Sequence, residues 1–303
     1  MLTPRLFSSV SLQDAIADAI SKATGEPFSP RSRRAVGGGC INSAEVLEDG
    51  ACRYFVKHND ATRLATFEAE AVGLAEISAT NSVRVPRPVC TGQHGHQAFL
   101  VLEYLGLGRG GGKSEQTLGR QLAALHRTTQ THFGWHRDDT IGSTPQINTE
   151  ETDWSKFYRE HRLRYQLQCA ARHGYGGSLQ KLGERLLDRL PVLFTSYRPQ
   201  PSLLHGDLWG GNHGALADGT PVIFDPAVYY GDREADLAMT ELFGGFGSGF
   251  YSAYREVWPL DPGYGVRKDL YNLYHVLNHL NLFGGGYRGQ AERLIERLLA
   301  EAS

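Results

Sequence analysis

The chain has 303 residues, of which 41% are hydrophobic, 21% charged and 10% aromatic. These values are close to the averages of folded globular proteins and exclude a disordered, collagen-like or coiled-coil chain and a small disulfide scaffold. Lys and Arg together number 31 and Asp and Glu 33, a net charge of −2, so the chain lacks the basic excess of a nucleic-acid-binding protein.

Residues 1–105 have the pattern of a small lobe that combines helices with strands. Ser11 stands before apolar residues at helical spacing, which predicts the N-cap of a helix that ends at Gly25. The later segments are predicted from apolar runs and from the spacing of apolar residues. They are a strand around Arg34–Val36, a strand over Cys52–Lys57, a helix from Thr62 to Ile77, a proline-broken stretch at Val83–Val89 and a strand at Ala98–Leu102.

Residues 106–303 are predicted to form a larger, mainly helical lobe. The glycine-dense stretch Leu105–Gly112 is the best candidate for a linker, because glycine costs backbone entropy inside a regular element. The predicted helices cover Glu115–Arg127, Trp154–Ala171, Leu179–Leu190, Arg233–Phe243, Arg267–Phe283 and Gln290–Ala300, with one strand at Pro221–Phe224. The sequence therefore predicts an α+β protein with a boundary after residue 105.

The cysteines and the apolar runs indicate the compartment. Four cysteines lie far apart without Cys-x-x-Cys spacing, which argues against a zinc ribbon or a redox dithiol and fits a reducing environment. The N-terminal stretch has no apolar core of a secretory signal, and no run of about 18 apolar residues occurs to cross a bilayer. We expect a cytoplasmic protein with no membrane partner.

Three polar residues have the spacing of a phosphotransferase site. Asp207 and Asn212 stand five residues apart in a short segment that follows two apolar residues, and Asp225 ends the apolar strand thirteen residues later. Phosphoryl transfer needs an Asp that orients and deprotonates a hydroxyl, an Asn for Mg²⁺ and a second Asp that links the metal to the phosphates. Either Asp alone would be better explained as a helix cap or a turn residue.

A second group of residues lies upstream and completes this pattern. A run of three glycines, Gly37, Gly38 and Gly39, lies between two predicted strands, where the lack of side chains lets a backbone approach nucleotide phosphates. Lys57 ends the next strand, and Glu70 lies on the predicted helix, so that an ion pair could hold the ammonium against the α- and β-phosphates. Each feature alone fits a plain turn or a solvated strand end, but their order predicts an ATP-dependent kinase.

With these motifs, the sequence resembles the fructosamine kinase (ketosamine 3-kinase) family over nearly the whole chain. Two patterns are specific to that family: H-G-D-L-W-x-G-N at His205–Asn212 and F-D-P-A at Phe224–Ala227. Further matching segments are Val36–Asn42, Phe55–Lys57, Phe67–Glu70, Leu122–His126, Phe133–Trp135, Ile141–Gln146, Asp236–Met239, Leu242–Phe246 and Leu277–Gly284. The resemblance implies a two-lobed protein-kinase-like or aminoglycoside-phosphotransferase-like fold, with an antiparallel sheet and helices in the small N-terminal lobe.

The resemblance also implies ATP and Mg²⁺ as cofactors and gives roles to individual residues. Asp207 is the expected catalytic base, and Asn212 and Asp225 are the expected Mg²⁺ ligands. The residues expected to bind ATP are Gly37, Gly38 and Gly39 above the phosphates, Lys57 with its partner Glu70, and the hinge residues Glu103, Tyr104 and Leu105 beside the adenine.

The acceptor substrate is expected beside the catalytic segment. Trp209 could stack on the apolar face of a sugar or on its attached amine, with core packing as the alternative. His279 and Asn281 interrupt an apolar helix and could line the same pocket, and a hydrogen-bonded place in the core explains them equally well. Asp236, by analogy with kinase-like folds, is expected to brace the backbone of the catalytic segment. The other tryptophans are assigned to the core.

The implied reaction is transfer of the γ-phosphoryl group of ATP to the 3-hydroxyl of a ketosamine, such as a fructosamine, ribulosamine or erythrulosamine adduct. The 3-phosphate would then be lost and the amine freed, which amounts to deglycation of a small amine or of a protein lysine. Two alternatives remain at this point. One is a kinase of the same fold for an aminoglycoside or choline-type alcohol, and the other is a pseudokinase that acts as a scaffold.

Cys40 directly follows the glycine run. Backbone N–H groups that bind anions lower the pKa of a nearby thiol, and the resemblance implies redox-sensitive activity at this position. A small buried hydrophobic residue is the ordinary alternative. We expect a monomer or a redox-linked homodimer, with oxidation of Cys40 slowing the kinase reversibly.

Overall fold

The structure is a computed structural model that describes residues 11–37, 41–50, 52–108 and 110–302. It contains an N-terminal antiparallel sheet and many helices, so the predicted α+β class is confirmed. The chain divides into two compact units. The first contains the described residues up to Ala75 together with Pro86–Leu105, and the second contains Glu76–Val85 and the chain from Gly106 onward. A single division after residue 105 therefore does not account for residues 76–85.

Within the described residues, the first unit is a five-stranded antiparallel sheet with two helices, the second of which has its last four residues in the other unit. The strands lie in the order β1-β2-β3-β5-β4. In chain order the elements are α1 (Leu12–Thr24), β1 (Ser32–Val36), β2 (Ser43–Asp49), β3 (Cys52–Asp60), α2 (Leu64–Ala79), β4 (Pro88–His94) and β5 (Gln97–Glu103). Two of these strands, β2 and β4, are absent from the sequence prediction. The sequence does not predict them because β2 contains acidic residues, and because Pro86 lies just before β4 and Pro88 begins it. Both residue classes are depleted in strands.

Helix α1 begins and ends where its sequence predicts. The Ser11 side chain accepts a hydrogen bond from the Asp14 main chain, and the Asp14 carboxylate accepts one from the Ser11 main chain, which is a complete capping box. Gly25 ends the helix with φ of 77°. The buried face of α1, with Ile16 and Ile20, packs with Val56 and Phe99 of the sheet and so forms the core of the first unit.

The described residues of the second unit are mainly helical and form three small sheets. Its elements are β6 (Leu107–Gly108), α3 (Gly112–His126), β7 (Asp139–Ile141), β8 (Thr144–Gln146), α4 (Trp154–Phe157), a π-helical segment (Tyr158–Arg164), α5 (Tyr165–Arg172), α6 (Ser178–Arg189), β9 (Ser202–Leu204), β10 (His213–Leu216), β11 (Pro221–Ile223), β12 (Tyr229–Gly231), α7 (Glu234–Leu242), α8 (Ser248–Val257), α9 (Tyr264–Phe283) and α10 (Arg288–Glu301). None of the helices within the described residues is long and apolar enough to span a membrane.

Four features of the second unit differ from the sequence prediction. The sequence predicts one strand there, at Pro221–Phe224, but the described residues form seven short strands, β6 to β12. Strands of two to four residues are too short to show an alternating pattern in the sequence. Part of the expected linker, Leu107–Gly108, is a short strand paired with β10. The helix predicted over Trp154–Ala171 is interrupted by seven π-helical residues. Helix α8 was not predicted, because glycines lie before it and inside its first turn.

The segment between β9 and β10 is flanked by two short sheets. Strand β9 pairs with β12, and β10 pairs with β11, all antiparallel. The loop from His205 to Asn212, here called the Asp207 loop, therefore begins and ends in paired strands. Every residue of β9, β11 and β12 is buried, and β10 is mostly half-buried. Loops between buried, paired strands are held firmly at both ends.

Candidate active site

The Asp207 loop brings together the three residues that the sequence assigns to phosphoryl transfer. The Asn212 Nδ2 atom donates to the main-chain oxygen of Asp207 at 2.9 Å and lies 3.3 Å from its Oδ2 atom. The same amide lies 3.4 Å from the main-chain oxygen of Asp225. Because Nδ2 is used within the loop, the carbonyl oxygen Oδ1 of Asn212 is the atom left to bind a cation.

Asp236 fixes the start of this loop. Its carboxylate accepts hydrogen bonds from the main-chain nitrogens of His205, at 2.7 Å, and Gly206, at 2.8 Å. The Nε2 atom of His126, on α3, lies 3.1 Å from the same carboxylate. Burial alone would raise the pKa of Asp236, but its bonds to His126 and the loop lower it overall. The predicted bracing role of Asp236 is confirmed by these contacts.

His205 connects the Asp207 loop to the segment that carries Asp225. Its buried ring donates through Nε2 to the main-chain oxygen of Phe224 at 3.0 Å, and Nδ1 accepts from the main-chain nitrogen of Asp207 at 3.3 Å. Burial lowers the pKa of His205, which keeps the ring neutral. A neutral imidazole with one donor and one acceptor satisfies both bonds.

Gly206 is required by a close approach of two backbones. It has φ of 82°, a conformation that favours glycine. A Cβ atom at this position would lie 1.9 Å from the main-chain oxygen of Ala227. The main-chain nitrogen of Ala227 in turn donates to the His205 oxygen at 2.8 Å. The loop and the Asp225 segment are therefore in direct contact.

The carboxylates of Asp207 and Asp225 have different surroundings. Asp225 is exposed and has φ of 57°, an uncommon value for a residue other than glycine. Strained backbone of this kind persists where the surrounding structure enforces it, often at functional sites. Loss of water around the carboxyl, together with the negative charge of Asp225, raises the pKa of Asp207 to about 7.

The residues present fit a Mg²⁺ ion bound together with a nucleotide. Among the described residues there is no group of three or more His, Cys, Asp or Glu side chains that could hold a metal. Mg²⁺ usually binds through one or two protein carboxylates, with waters and substrate phosphates as its other ligands. One carboxylate from Asp225 and one amide oxygen from Asn212 match that requirement.

Lys57 and Glu70 form an ion pair inside the first unit, as the sequence predicts. The distance from Lys57 Nζ to Glu70 Oε1 is 2.7 Å, and both side chains are buried. Lys57 lies on β3 between Ala44 of β2 and Leu100 of β5. Burial makes this pair less sensitive to salt than a surface pair.

The other predicted nucleotide-binding residues are seen in part. Gly37 follows β1, and no atom lies within 4 Å of the position of its missing Cβ. Gly38, Gly39 and Cys40 lie outside the described residues. In the expected hinge, the carboxylate of Glu103 forms an ion pair with Arg87. Tyr104 and Leu105 are half-buried.

The three predicted acceptor residues have different environments. Trp209 is 41% exposed. Asn281 uses its amide hydrogens on Gln166, at 3.0 Å to the main-chain oxygen and 2.7 Å to Oε1, which fits the structural alternative. His279 donates to the His275 main chain and packs against the rings of two phenylalanines, Phe243 and Phe283.

The sequence prediction did not assign roles to His205, Gly206 and His126. All three lie in segments that match the family, but the sequence alone does not show what each residue does. The available signal for His126 was a polar residue at the end of an apolar helix face, which often indicates a buried hydrogen bond. For Gly206 the signal was a glycine between two polar residues of a motif, which often indicates a close backbone approach.

Comparison with known proteins gives consistent matches over most of the chain. The family model described as Fructosamine kinase matches residues 12–301. The chain is 50% identical over 285 residues to the "Probable ketoamine kinase" of Synechocystis, which covers 94% of this chain and 96% of that protein. It is 45% identical over 267 residues to the chloroplastic "Protein-ribulosamine 3-kinase" of Oryza sativa subsp. indica, 87% of this chain and 78% of that protein.

Solved structures match over the same range. A crystal structure described as a "putative fructosamine-3-kinase" from Haemophilus somnus has a TM-score of 0.87 at 30% identity and covers 94% of this chain and 96% of that chain. The aminoglycoside phosphotransferase APH(4)-Ia shares the fold, with a TM-score of 0.61 at 14% identity over 95% of this chain and 99% of that one.

Proposed function

The chain belongs to the fructosamine kinase family, and we propose that it transfers the γ-phosphoryl group of ATP to the 3-hydroxyl of a ketosamine. The observation that carries the proposal is the convergence of Asp207, Asn212 and Asp225, joined through the Asn212 amide at 2.9 to 3.4 Å. The names of the relatives, ketoamine kinase and protein-ribulosamine 3-kinase, support the same substrate class.

Asp207 would act as the general base toward the 3-hydroxyl. A general base works best when its pKa lies near the operating pH, and the pKa of Asp207 is raised to about 7. The main chain of Asp207 is held in place because its nitrogen donates to His205 Nδ1 and its oxygen accepts from Asn212 Nδ2. Phosphoryl transfer depends mostly on such positioning, since its transition state is loose.

Asn212 and Asp225 would hold Mg²⁺ through the amide oxygen and a carboxylate oxygen. When bound, the ion would neutralise charge on the phosphates of ATP. The left-handed backbone of Asp225, with φ of 57°, sets the direction of its carboxylate. The role of this chain is to keep the two ligands in place before the nucleotide arrives, which avoids an ordering cost during binding.

Lys57 would hold the α- and β-phosphates, with Glu70 keeping its ammonium in position. The 2.7 Å pair supports this assignment, because a buried ammonium needs a fixed anionic partner. The glycine run would lie over the phosphates and Glu103, Tyr104 and Leu105 beside the adenine. These last assignments rest on the family resemblance.

The acceptor would stack on Trp209, two residues after the base in sequence. An exposed indole offers an apolar face to a sugar and a π-face to a protonated secondary amine. His279 would line the same site, and Asn281 would support it from the core. The amine carrier would be either a small amine or the lysine of a glycated protein.

A substrate panel tests this proposal directly. ADP release should be measured with ribulosamine-, erythrulosamine- and fructosamine-lysine, and with an aminoglycoside and choline as controls. We expect Mg²⁺-dependent turnover with at least one ketosamine, a phosphate ester at the 3-position of the product, and later release of phosphate and free amine. Turnover confined to the control alcohols, or ATP binding without turnover on any acceptor, would refute the assignment.

A further inference from the structure

Gln146 is a buried polar residue beside the Asp225 segment that the proposed mechanism leaves without a role. It ends β8, is 1% exposed and lies in the segment Ile141–Gln146 that matches the family. An uncharged amide so deeply buried must have both its donor and its acceptor satisfied, or it destabilises the fold.

Both ends of the Gln146 amide are bonded to groups far away in sequence. Its Nε2 atom donates to the main-chain oxygen of Ala227 at 3.0 Å. Its Oε1 atom accepts from the hydroxyl of Tyr274, on α9, at 3.0 Å. Burial raises the pKa of Tyr274 above its usual value, so its hydroxyl stays protonated and can donate. Tyr274 therefore determines which end of the amide faces Ala227.

The Ala227 carbonyl is the point where the two halves of the candidate site meet. This oxygen lies against Gly206, where an added Cβ would be 1.9 Å away. The Ala227 nitrogen donates to the His205 oxygen at 2.8 Å. Asp225, with φ of 57°, lies only two residues earlier. A rotation of the peptide that carries the Ala227 oxygen would therefore move Asp225 or push against the Asp207 loop.

We propose that Gln146 is a positioning residue for the Mg²⁺·ATP site, and that its amide fixes the Ala227 carbonyl so that Asp225 keeps its direction and Gly206 its close approach. The inference rests on the proposed function for the identity of the metal and nucleotide. Residues one layer outside a metal site typically change metal affinity or activity about 10- to 100-fold when replaced. Gln146, at the end of the hairpin β7–β8, lies one contact further out, because it acts on Asp225 through the Ala227 main chain.

Three variants separate this role from plain core packing. Gln146→Met keeps the volume and removes both bonds. Gln146→Glu keeps the shape and the acceptor for Tyr274, but it places an oxygen against the Ala227 oxygen. Gln180→Met is the control, because the Gln180 amide also makes two hydrogen bonds, in its case both from Nε2 to main-chain oxygens, those of Leu167 and Tyr175 at 3.0 Å each.

Two measurements apply to each variant. Calorimetric binding of a non-hydrolysable ATP analogue at increasing Mg²⁺, without acceptor, gives the metal dependence. Steady-state kinetics gives kcat and both KM values. For Gln146→Met and Gln146→Glu we expect a five- to tenfold rise in the Mg²⁺ needed for half-maximal binding, a kcat about 10- to 100-fold lower, and a ketosamine KM within twofold of wild type. Gln180→Met should leave all three unchanged.

A double variant sharpens the test. Tyr274→Phe should show a smaller defect of the same kind, and it should add nothing in the Gln146→Met background if it acts through the Gln146 amide. An unchanged Mg²⁺ dependence in folded Gln146→Glu would overturn the inference, even if the protein melts at a lower temperature. Wild-type protein that binds the nucleotide equally with and without Mg²⁺ would overturn both proposals. Metal-dependent binding without ketosamine turnover would overturn only the proposed function.

Discussion

The Asp207 loop carries the predicted catalytic base, and strand β1 directly precedes the predicted phosphate-binding glycines in sequence. These two short segments are held by very different numbers of contacts. In the loop, the main-chain nitrogens of His205, Gly206 and Asp207 all have partners inside the protein. Among the residues that the structure describes, strand β1 lies at the edge of its sheet and pairs with β2, and four of its five residues are exposed. The loop, which must hold charged groups at fixed distances, makes many contacts with the rest of the protein. The edge strand makes few.

This contrast predicts that the effects of substitution fall steeply from the loop to the strand. Where several contacts determine a conformation, each replacement disturbs the others. Where a residue is exposed and without special contacts, most replacements change stability by less than about 0.5 kcal/mol. The following variants test the contrast in order of expected effect.

Asp207→Asn should have the largest effect. Loss of the general base is expected to lower kcat about 10²- to 10⁴-fold, whereas the affinity for ATP should change less than about twofold because the nucleotide is held elsewhere. Steady-state kinetics and nucleotide titration measure both quantities. A variant that keeps more than about a tenth of wild-type turnover would show that Asp207 is not the base.

Gly206→Ala should come next, because its Cβ would lie 1.9 Å from the Ala227 oxygen. Displacement of the loop by about 1 Å is enough to lower activity about 100-fold. The control is Gly219→Ala, since Gly219 has φ of 86° but open space around its Cβ position. That change should cost about 1 kcal/mol of stability from backbone strain and leave kcat unchanged. Equal kcat values for the two variants would show that contact with the Ala227 oxygen does not make Gly206 necessary.

Asp236→Asn should follow, with an effect on stability that depends on pH. Because the folded-state pKa of Asp236 is lowered, its ionised form stabilises the fold at pH values above its unfolded pKa of about 3.9, and this contribution is lost as the pH falls below that value. Asp236→Asn should be less stable at neutral pH by about 1.5–3 kcal/mol. The difference in the free energy of unfolding between Asp236→Asn and wild type should be smaller at pH 3 than at pH 7. Urea unfolding at the two pH values measures it. A constant difference would disprove the linkage.

Trp209→Ala should raise the KM for the ketosamine about tenfold, equivalent to about 1.4 kcal/mol of lost binding, and leave the KM for ATP unchanged. Stacking on the acceptor is a binding interaction away from the nucleotide. Initial rates over both substrates separate the two constants. A selective rise in the ATP KM would place Trp209 outside the acceptor site.

Arg34→Ser in β1 should have the smallest effect. Arg34 is exposed, and the structure records no ion pair for it within the described residues. Stability should change by less than about 0.5 kcal/mol and kcat by less than twofold, as chemical unfolding and kinetics can determine. A large loss of ATP affinity in this variant would show that the Arg34 side chain contributes to the nucleotide site. Strand β1 would then differ less from the Asp207 loop in its sensitivity to substitution.

Local signals in the sequence predicted much of the fold. Helix α1 has a cap and an apolar face within one continuous segment, and β5 is a compact apolar run, so both were predictable from neighbouring residues. Strand β2 contains Glu45, Glu48 and Asp49, and it is formed by pairing with strands on both sides. Tertiary pairing overrode the local preference there.

The site was predictable where motifs carry it and hidden where distant contacts do. Asp207, Asn212 and Asp225 lie close in sequence, and their spacing indicated a common site. The bond from Gln146 to Ala227 spans 81 residues, and no local pattern indicates which carbonyl a buried glutamine contacts. The identity of Gly206 was visible in the motif, but its reason, the Ala227 oxygen, appears only when the two segments are packed together.

The indole of Trp209 has a use beyond substrate binding. The chain has four tryptophans. Trp135 and Trp154 are buried, Trp258 is half-buried, and Trp209 is 41% exposed. Its ring lies directly over Gly211, where an added Cβ would be 2.3 Å from the indole. Iodide in solution should therefore quench mainly the Trp209 emission, so that an intrinsic fluorophore reports occupancy of the acceptor site without any attached label.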